Sequence, residues 1–189
     1  RGVARFVKKL NELYRSCPAL HEKDTSWEGF EWINCINSND CNLSWLRKSG
    51  REEETLLICV NFANVDRKNY AVGVPYPGKY TEILNSDDKQ FGGGGRVNAT
   101  VKEASKKEWD GREYSIRIRQ APLSFSIFAY APYTEEEKQA MQKAEEERRR
   151  KRAEAAAARK KGKNRTAGKR TLKEELREHF QCKDLSKCS

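Results

Sequence analysis

The sequence has two histidines, His21 and His179, one methionine and six cysteines in 189 residues, and no two cysteines are spaced as Cys-x-x-Cys. Zinc ligation by the usual Cys and His spacings therefore has no basis, and neither a metal nor a cofactor is expected. The longest uninterrupted apolar run is Leu56 to Val60, far short of the roughly 20 residues that carry a helix across a bilayer. A membrane-spanning helix is excluded and no membrane partner is expected. All five prolines, all four tryptophans and all seven tyrosines lie before residue 134. Beyond it the only large apolar side chains are Met141, Leu172, Leu176, Phe180 and Leu185. Such a segment cannot offset its ordering entropy by burial, so it must depend on local helix formation or on a partner.

The chain thus divides near Tyr133. Its net charge of +10 resides mostly in the second part, where 18 lysines and arginines face 11 acidic residues. Residues 1–133 are long enough to bury a core of their own.

Val3, Phe6, Val7, Leu10, Leu13 and Tyr14 recur at three- and four-residue spacing, with Lys8, Lys9, Asn11, Glu12 and Arg15 between them. The pattern predicts an amphipathic helix stopped at Pro18. From residue 30 the signal changes to short aromatic and β-branched runs bounded by Gly, Asn, Asp or Pro, which read as strands. The expected strands are 30–36, 43–48, 55–62, 70–74, 79–84, 97–103, 113–119 and 123–130. Eight short strands predict a mainly β fold, an antiparallel sandwich. Leu56 to Val60, apolar on both faces, reads as a central strand. Tyr114, Ile116 and Ile118 alternate with Ser115, Arg117 and Arg119, and Leu123, Phe125, Ile127 and Ala129 repeat the period. A hairpin through Gln120-Ala121-Pro122 is the simplest pairing of these two runs.

In the second part, Thr134-Glu135-Glu136-Glu137 has the capping-box spacing and should start a helix. Arg148 to Arg152 follow the acidic turns, an order that complements the helix dipole. Thr171-Leu172-Lys173-Glu174 offers a second, shorter helix carrying Leu172, Leu176 and Phe180.

Several constellations invite a chemical reading. Gly92 to Gly95 lacks the Gly-Lys-Ser/Thr ending of a phosphate loop and reads as a permissive turn. Asp87, Asp88, Asp110 and Glu113 fall in loops, and paired carboxylates perform glycosyl chemistry only at a defined separation with one pKa raised, which spacing does not establish. Asn42, Asn98 and Asn164 match glycosylation acceptors. Cys35/Cys41 and Cys182/Cys188 could each close a small loop, but Cys17, Cys35, Cys41, Cys59, Cys182 and Cys188 read rather as unrelated free thiols of a reducing cytoplasm. Trp27, Trp32, Trp45 and Trp109 are core residues or sugar-stacking platforms; Trp27 and Trp109, beside loop residues, are the candidates for stacking on a sugar ring. Arg148 to Arg152 either bind a polyanion through counterion release or form a solvated helix face.

Gly2-Val3-Ala4-Arg5-Phe6-Val7 with Leu10-Asn11-Glu12-Leu13-Tyr14-Arg15, Pro18-Ala19-Leu20-His21-Glu22 and Gly29-Phe30-Glu31-Trp32-Ile33 resemble the last barrel helix and following strand of the bacterial 1,4-α-glucan (glycogen) branching enzymes. Val60-Asn61-Phe62, Val72-Gly73-Val74-Pro75, Gly78-Lys79-Tyr80, Leu84-Asn85-Ser86-Asp87, Phe91-Gly92-Gly93, Trp109-Asp110-Gly111-Arg112-Glu113-Tyr114-Ser115 and Ala121-Pro122-Leu123 continue the resemblance in order, to about residue 130. The resemblance implies an α-amylase-type C-terminal β domain packed on a (β/α)8 barrel. That barrel cleaves an α-1,4 glucan, holds the segment covalently and transfers it to a glucose 6-hydroxyl.

By this resemblance residues 1–18 are the last helix of a truncated barrel, 19–133 the all-β domain, and 134–189 a charged, partly disordered helical extension to which the family pattern does not reach. The three catalytic carboxylates would lie upstream of Arg1, so no catalytic residue is assigned and the fragment alone should be inactive. The implied partners are glycogen or another α-glucan, and the barrel itself through Val3, Phe6, Val7, Leu10, Leu13 and Tyr14. The alternative is a non-enzymatic polyanion- or protein-binding module acting through the basic extension.

Overall fold

The computed structural model of the chain describes residues 2–156. The chain divides into two units, Arg1–Tyr133 and Thr134–Ser189.

The first unit opens with α1, Gly2–Ser16, followed by a single 3-10 turn at Pro18–Leu20. Pro18 removes the amide that would continue the helix. The strands are β1 Phe30–Asn34, β2 Asn42–Arg47, β3 Leu56–Asn61, β4 Arg67–Val74, β5 Gly78–Asn85, β6 Lys102–Glu103, β7 Tyr114–Gln120 and β8 Ser124–Pro132. Among the described residues they form two antiparallel sheets, one ordered β1-β2-β3-β8-β5-β6 and the other β4-β7.

The middle of the larger sheet is buried on both faces. Leu46, Leu57, Cys59, Tyr80, Phe128 and Tyr130 point toward Val72, Val74, Ile116 and Ile118 of the smaller sheet, making the sandwich core. Leu56, Ile58, Leu84 and Ile127 point the other way, against Leu13 and Ala19, with Phe6 and Leu10 packed alongside. Each of the buried Leu, Ile and Val side chains contributes about 1.5–3 kcal/mol. Burial also pushes the Cys59 thiol pKa well up, which leaves it an inert packing group.

Three expectations need correction. The runs at 113–119 and 123–130 do not form a hairpin. β7 pairs with β4, while β8 crosses to the other sheet and inserts between β3 and β5. The physical reason lies in their outward residues. β8 is apolar on both faces, with Phe128 and Tyr130 on one and Ile127 on the other, so it needs covering layers on both sides. β7 carries Arg117 and Arg119 on its second face and suits a sheet with one solvated side. Leu123, expected to point inward, is 68% exposed at the turn between them. The expected strand at 97–103 shrinks to Lys102–Glu103 because Asn98 leaves the ladder: its amide N–H and side chain bond the Glu82 carboxylate, and its side chain also bonds the Arg119 carbonyl.

In the second unit, residues 135–156 form a helix, here α2. Its capping box is formed: the Thr134 amide donates to the Glu137 carboxylate at 2.9 Å and the Glu137 amide to the Thr134 hydroxyl at 3.3 Å. The helix expected over 171–180 lies outside the described residues, as do Cys182, Cys188 and His179.

Candidate functional site

The six apolar residues of α1 do not share one environment. At about 100° per residue, Phe6, Leu10 and Leu13 form one stripe and Val3, Val7 and Tyr14 a neighbouring one. The first stripe lies on the sheet, with Leu13 8% exposed and Phe6 edge-on to Phe91 at 5.1 Å. The second faces outward: Val3 is 76%, Val7 48% and Tyr14 50% exposed. An amphipathic helix buries its apolar arc. Here half of that arc has no covering layer within the described residues.

Beyond the 3-10 turn, β1 and β2 carry an aromatic ledge on the same face of the sheet as α1. The register sets Trp32 opposite Trp45. Trp32 meets Phe30 edge-on at 4.9 Å and Trp45 at 5.9 Å. Trp45 packs into the core under α1, whereas Trp32 is 46% exposed. The period-2 pair Phe30/Trp32 was the available signal for this ledge. What hid it was the absence of any sequence sign for which face of β1 lies uncovered.

Trp27 opens a 3-10 turn, Trp27–Gly29, capped by the Ser26 hydroxyl, and is 86% exposed. Burial of that indole contributes nothing to the fold, and a single exposed aromatic is ordinary protein surface. Trp109 stands differently. It belongs to a tight turn in which Trp109 and Arg112 exchange backbone hydrogen bonds, and the Arg117 guanidinium sits 5.8 Å from its ring centre. One ring face is therefore engaged by a cation. The structure gives no contact between Trp27 and Trp109.

The loop carboxylates act as internal acceptors. Asp110 accepts from the Asn34 side chain at 2.8 Å and from the Gly73 amide at 2.9 Å. Asp87 accepts from the Gly94 and Arg96 amides, each at 2.9 Å, while its carbonyl takes the Gly95 amide at 2.6 Å. The glycine run therefore wraps a carboxylate of its own chain, and the amides a phosphate would need are already used. A Cβ on Gly93 would stand 2.3 Å from the Asp87 backbone, which explains a glycine there.

Beside the ledge, Glu31 meets both Lys48, at 2.6 Å, and Arg112. Partial burial pushes its carboxyl up, but the hydrogen bonds and charges of Lys48 and Arg112 outweigh that and hold it below its ordinary value. Among the described residues no group of three or more His, Cys, Asp or Glu assembles as a metal site. The glycosylation matches at Asn42 and Asn98 are 4% and 6% exposed, which removes both from a transferase's reach in the folded state; Asn164 lies outside the described residues. Cys17, Cys35, Cys41 and Cys59 are free thiols. Among the described residues no helix is long and apolar enough to cross a membrane.

Comparison with known proteins adds what the geometry leaves open. Residues 32–131 match the family model described as alpha amylase, C-terminal all-beta domain. The 1,4-alpha-glucan branching enzyme GlgB of Aquifex aeolicus is 45% identical over 124 residues, which cover 66% of this chain and 20% of that protein. The GlgB of Rubrobacter xylanophilus is 43% identical over 124 residues, covering 66% and 17%, and that of Oceanobacillus iheyensis 38% over 128, covering 68% and 20%. The chain spans about a fifth of the length of the curated relatives it matches. The resemblance to glycogen branching enzymes is borne out, as is the antiparallel β fold.

Proposed function

We propose, from the premise that the chain belongs to the family of alpha-amylase C-terminal all-beta domains, that it serves as the C-terminal β domain of a 1,4-α-glucan branching enzyme. In that role it braces a catalytic (β/α)8 barrel and makes no bond by itself. The enzyme would form α-1,6 branches in glycogen by transferring cleaved α-1,4 segments, in the cytoplasm, where the free thiols Cys17, Cys35, Cys41 and Cys59 stay reduced.

The observation that carries this reading is the divided helix. α1 presents Phe6, Leu10 and Leu13 to the sheet and leaves Val3, Val7 and Tyr14 for a second apolar surface. A helix so divided joins two layers, one of them the sandwich and the other, on this reading, the barrel. The test is co-expression with the four-fifths of the Aquifex aeolicus enzyme that the match leaves uncovered, assayed on amylose. The native chain should support α-1,6 linkage formation, a Val3→Asp, Val7→Asp, Tyr14→Asp variant should lose most of it, and the chain alone should give none. Branching by the chain alone, or equal support from the triple variant, would overturn the reading.

Glucan contact is the finer part of the proposal. Trp27 offers a free indole to the apolar face of a glucose ring, and Trp109 offers the ring face that Arg117 does not occupy. In gels containing glycogen the chain should be retarded. Trp27→Ala should lose most of that retardation and Trp109→Ala a smaller part; unchanged mobility of both variants would remove the two residues as glucan contacts.

A further inference from the structure

α2 is polar all round. Residues 138–156 are all exposed, and Met141, 49% exposed, is its one large apolar side chain. Such a helix persists through its cap and through pairs one turn apart. The cap is formed at Thr134, and Lys138 pairs with Glu135, Lys151 with Glu147 and Arg150 with Glu154.

Its charges are segregated along the axis rather than around it. Residues 135–147 hold six glutamates against Lys138 and Lys143, whereas 148–156 hold Arg148, Arg149, Arg150, Lys151 and Arg152 against Glu154 alone. Among the described residues Arg148, Arg149 and Arg152 make no ion pair. The sequence beyond adds Arg159, Lys160, Lys161, Lys163 and Arg165 with no acidic residue between them.

Five consecutive helical residues step through a full circle within about 6 Å of rise. This geometry selects the partner. A flat anionic surface reaches only the cations on its own side, and the helix has no apolar face to insert into lipid. A groove walled by phosphates on two sides reaches all five. The major groove of B-form DNA, about 12 Å wide, admits an α-helix of about 10–12 Å diameter, whereas the major groove of A-form RNA is too narrow.

We propose that the basic half of α2 binds duplex DNA in the major groove through its phosphates, without sequence preference. Arginine, four of the five cations, offers a planar fork that matches phosphate oxygens.

The test uses the 189-residue chain and a labelled 20-base-pair DNA duplex, with anisotropy followed across a salt series. Replacing residues 148–152 together by alanine, which preserves helix propensity, should make the slope of log affinity on log salt shallower by about 4.5, near 0.9 for each phosphate lost. Replacing the four arginines by lysine should retain most of the slope. Circular dichroism of both variants should match the native chain. An unchanged slope in the alanine variant would overturn the proposal. So would equal affinity for duplex RNA or for vesicles of anionic lipid, since either would remove the groove.

Discussion

Asn61→Leu is expected to destabilise the β domain by on the order of 4 kcal/mol, read from urea unfolding followed by tryptophan fluorescence. Asn61 closes β3 and is 1% exposed. Its side-chain amide donates to the Val65 carbonyl at 2.9 Å and to the Ala121 carbonyl at 2.8 Å, and its oxygen accepts from the Ala63 amide at 3.0 Å. One side chain thus ties the β3–β4 loop to the crossover that carries the chain from one sheet to the other. Leucine has a similar volume but leaves three backbone groups without their partner at a site that is 1% exposed. A loss below about 1 kcal/mol would show that the crossover is held by packing instead.

Gly73→Ala should cost about 3 kcal/mol in the same measurement. A Cβ at position 73 would stand 2.2 Å from the Trp109 carbonyl oxygen and 2.9 Å from Asp110 Cβ. Neither can yield independently, because Asp110 is bound to the Gly73 amide and to Asn34. Moving the turn aside to admit one methyl group therefore breaks the contacts that join β4, the 109–112 turn and the end of β1. The indole of Trp109 rides on that turn, so its cation contact with Arg117 should weaken as well. Wild-type stability in the alanine variant would mean that the turn is not fastened where Asp110 places it.

Both predictions turn on contacts that local pattern does not record. Strands were legible because period-2 alternation and flanking Gly, Asn and Pro are properties of neighbours in sequence, and Leu56 to Val60 announced a central strand by being apolar on both sides. The partner of each strand was less legible. Shortness of the link between β7 and β8 suggested a hairpin, but burial of both faces of β8 outweighed proximity in sequence. Asn98 sits in a run that reads as strand until Glu82, 16 residues earlier, draws it out of the ladder. The same limit applies to the surface. α1 was visible as amphipathic, yet only the packed structure separates Leu13 from Tyr14. Trp27 and Trp109 looked alike beside their loops, and distance in sequence concealed Arg117 on the second.

The position of β8 sets a schedule for synthesis. It is the last of the eight strands to be made, yet it fills the middle of the larger sheet, between β3 and β5. While the ribosome adds residues 62–123 that follow β3, roughly 3 to 12 s at typical elongation rates, β3 waits with one row of backbone amides and carbonyls unclaimed. β5 then waits beside it. An open row of that kind accepts any extended chain that comes near, so the nascent polypeptide is most exposed to foreign strands just before its own arrives. A product stopped between Glu103 and Ser124 would hold two half-sheets with no strand to join them.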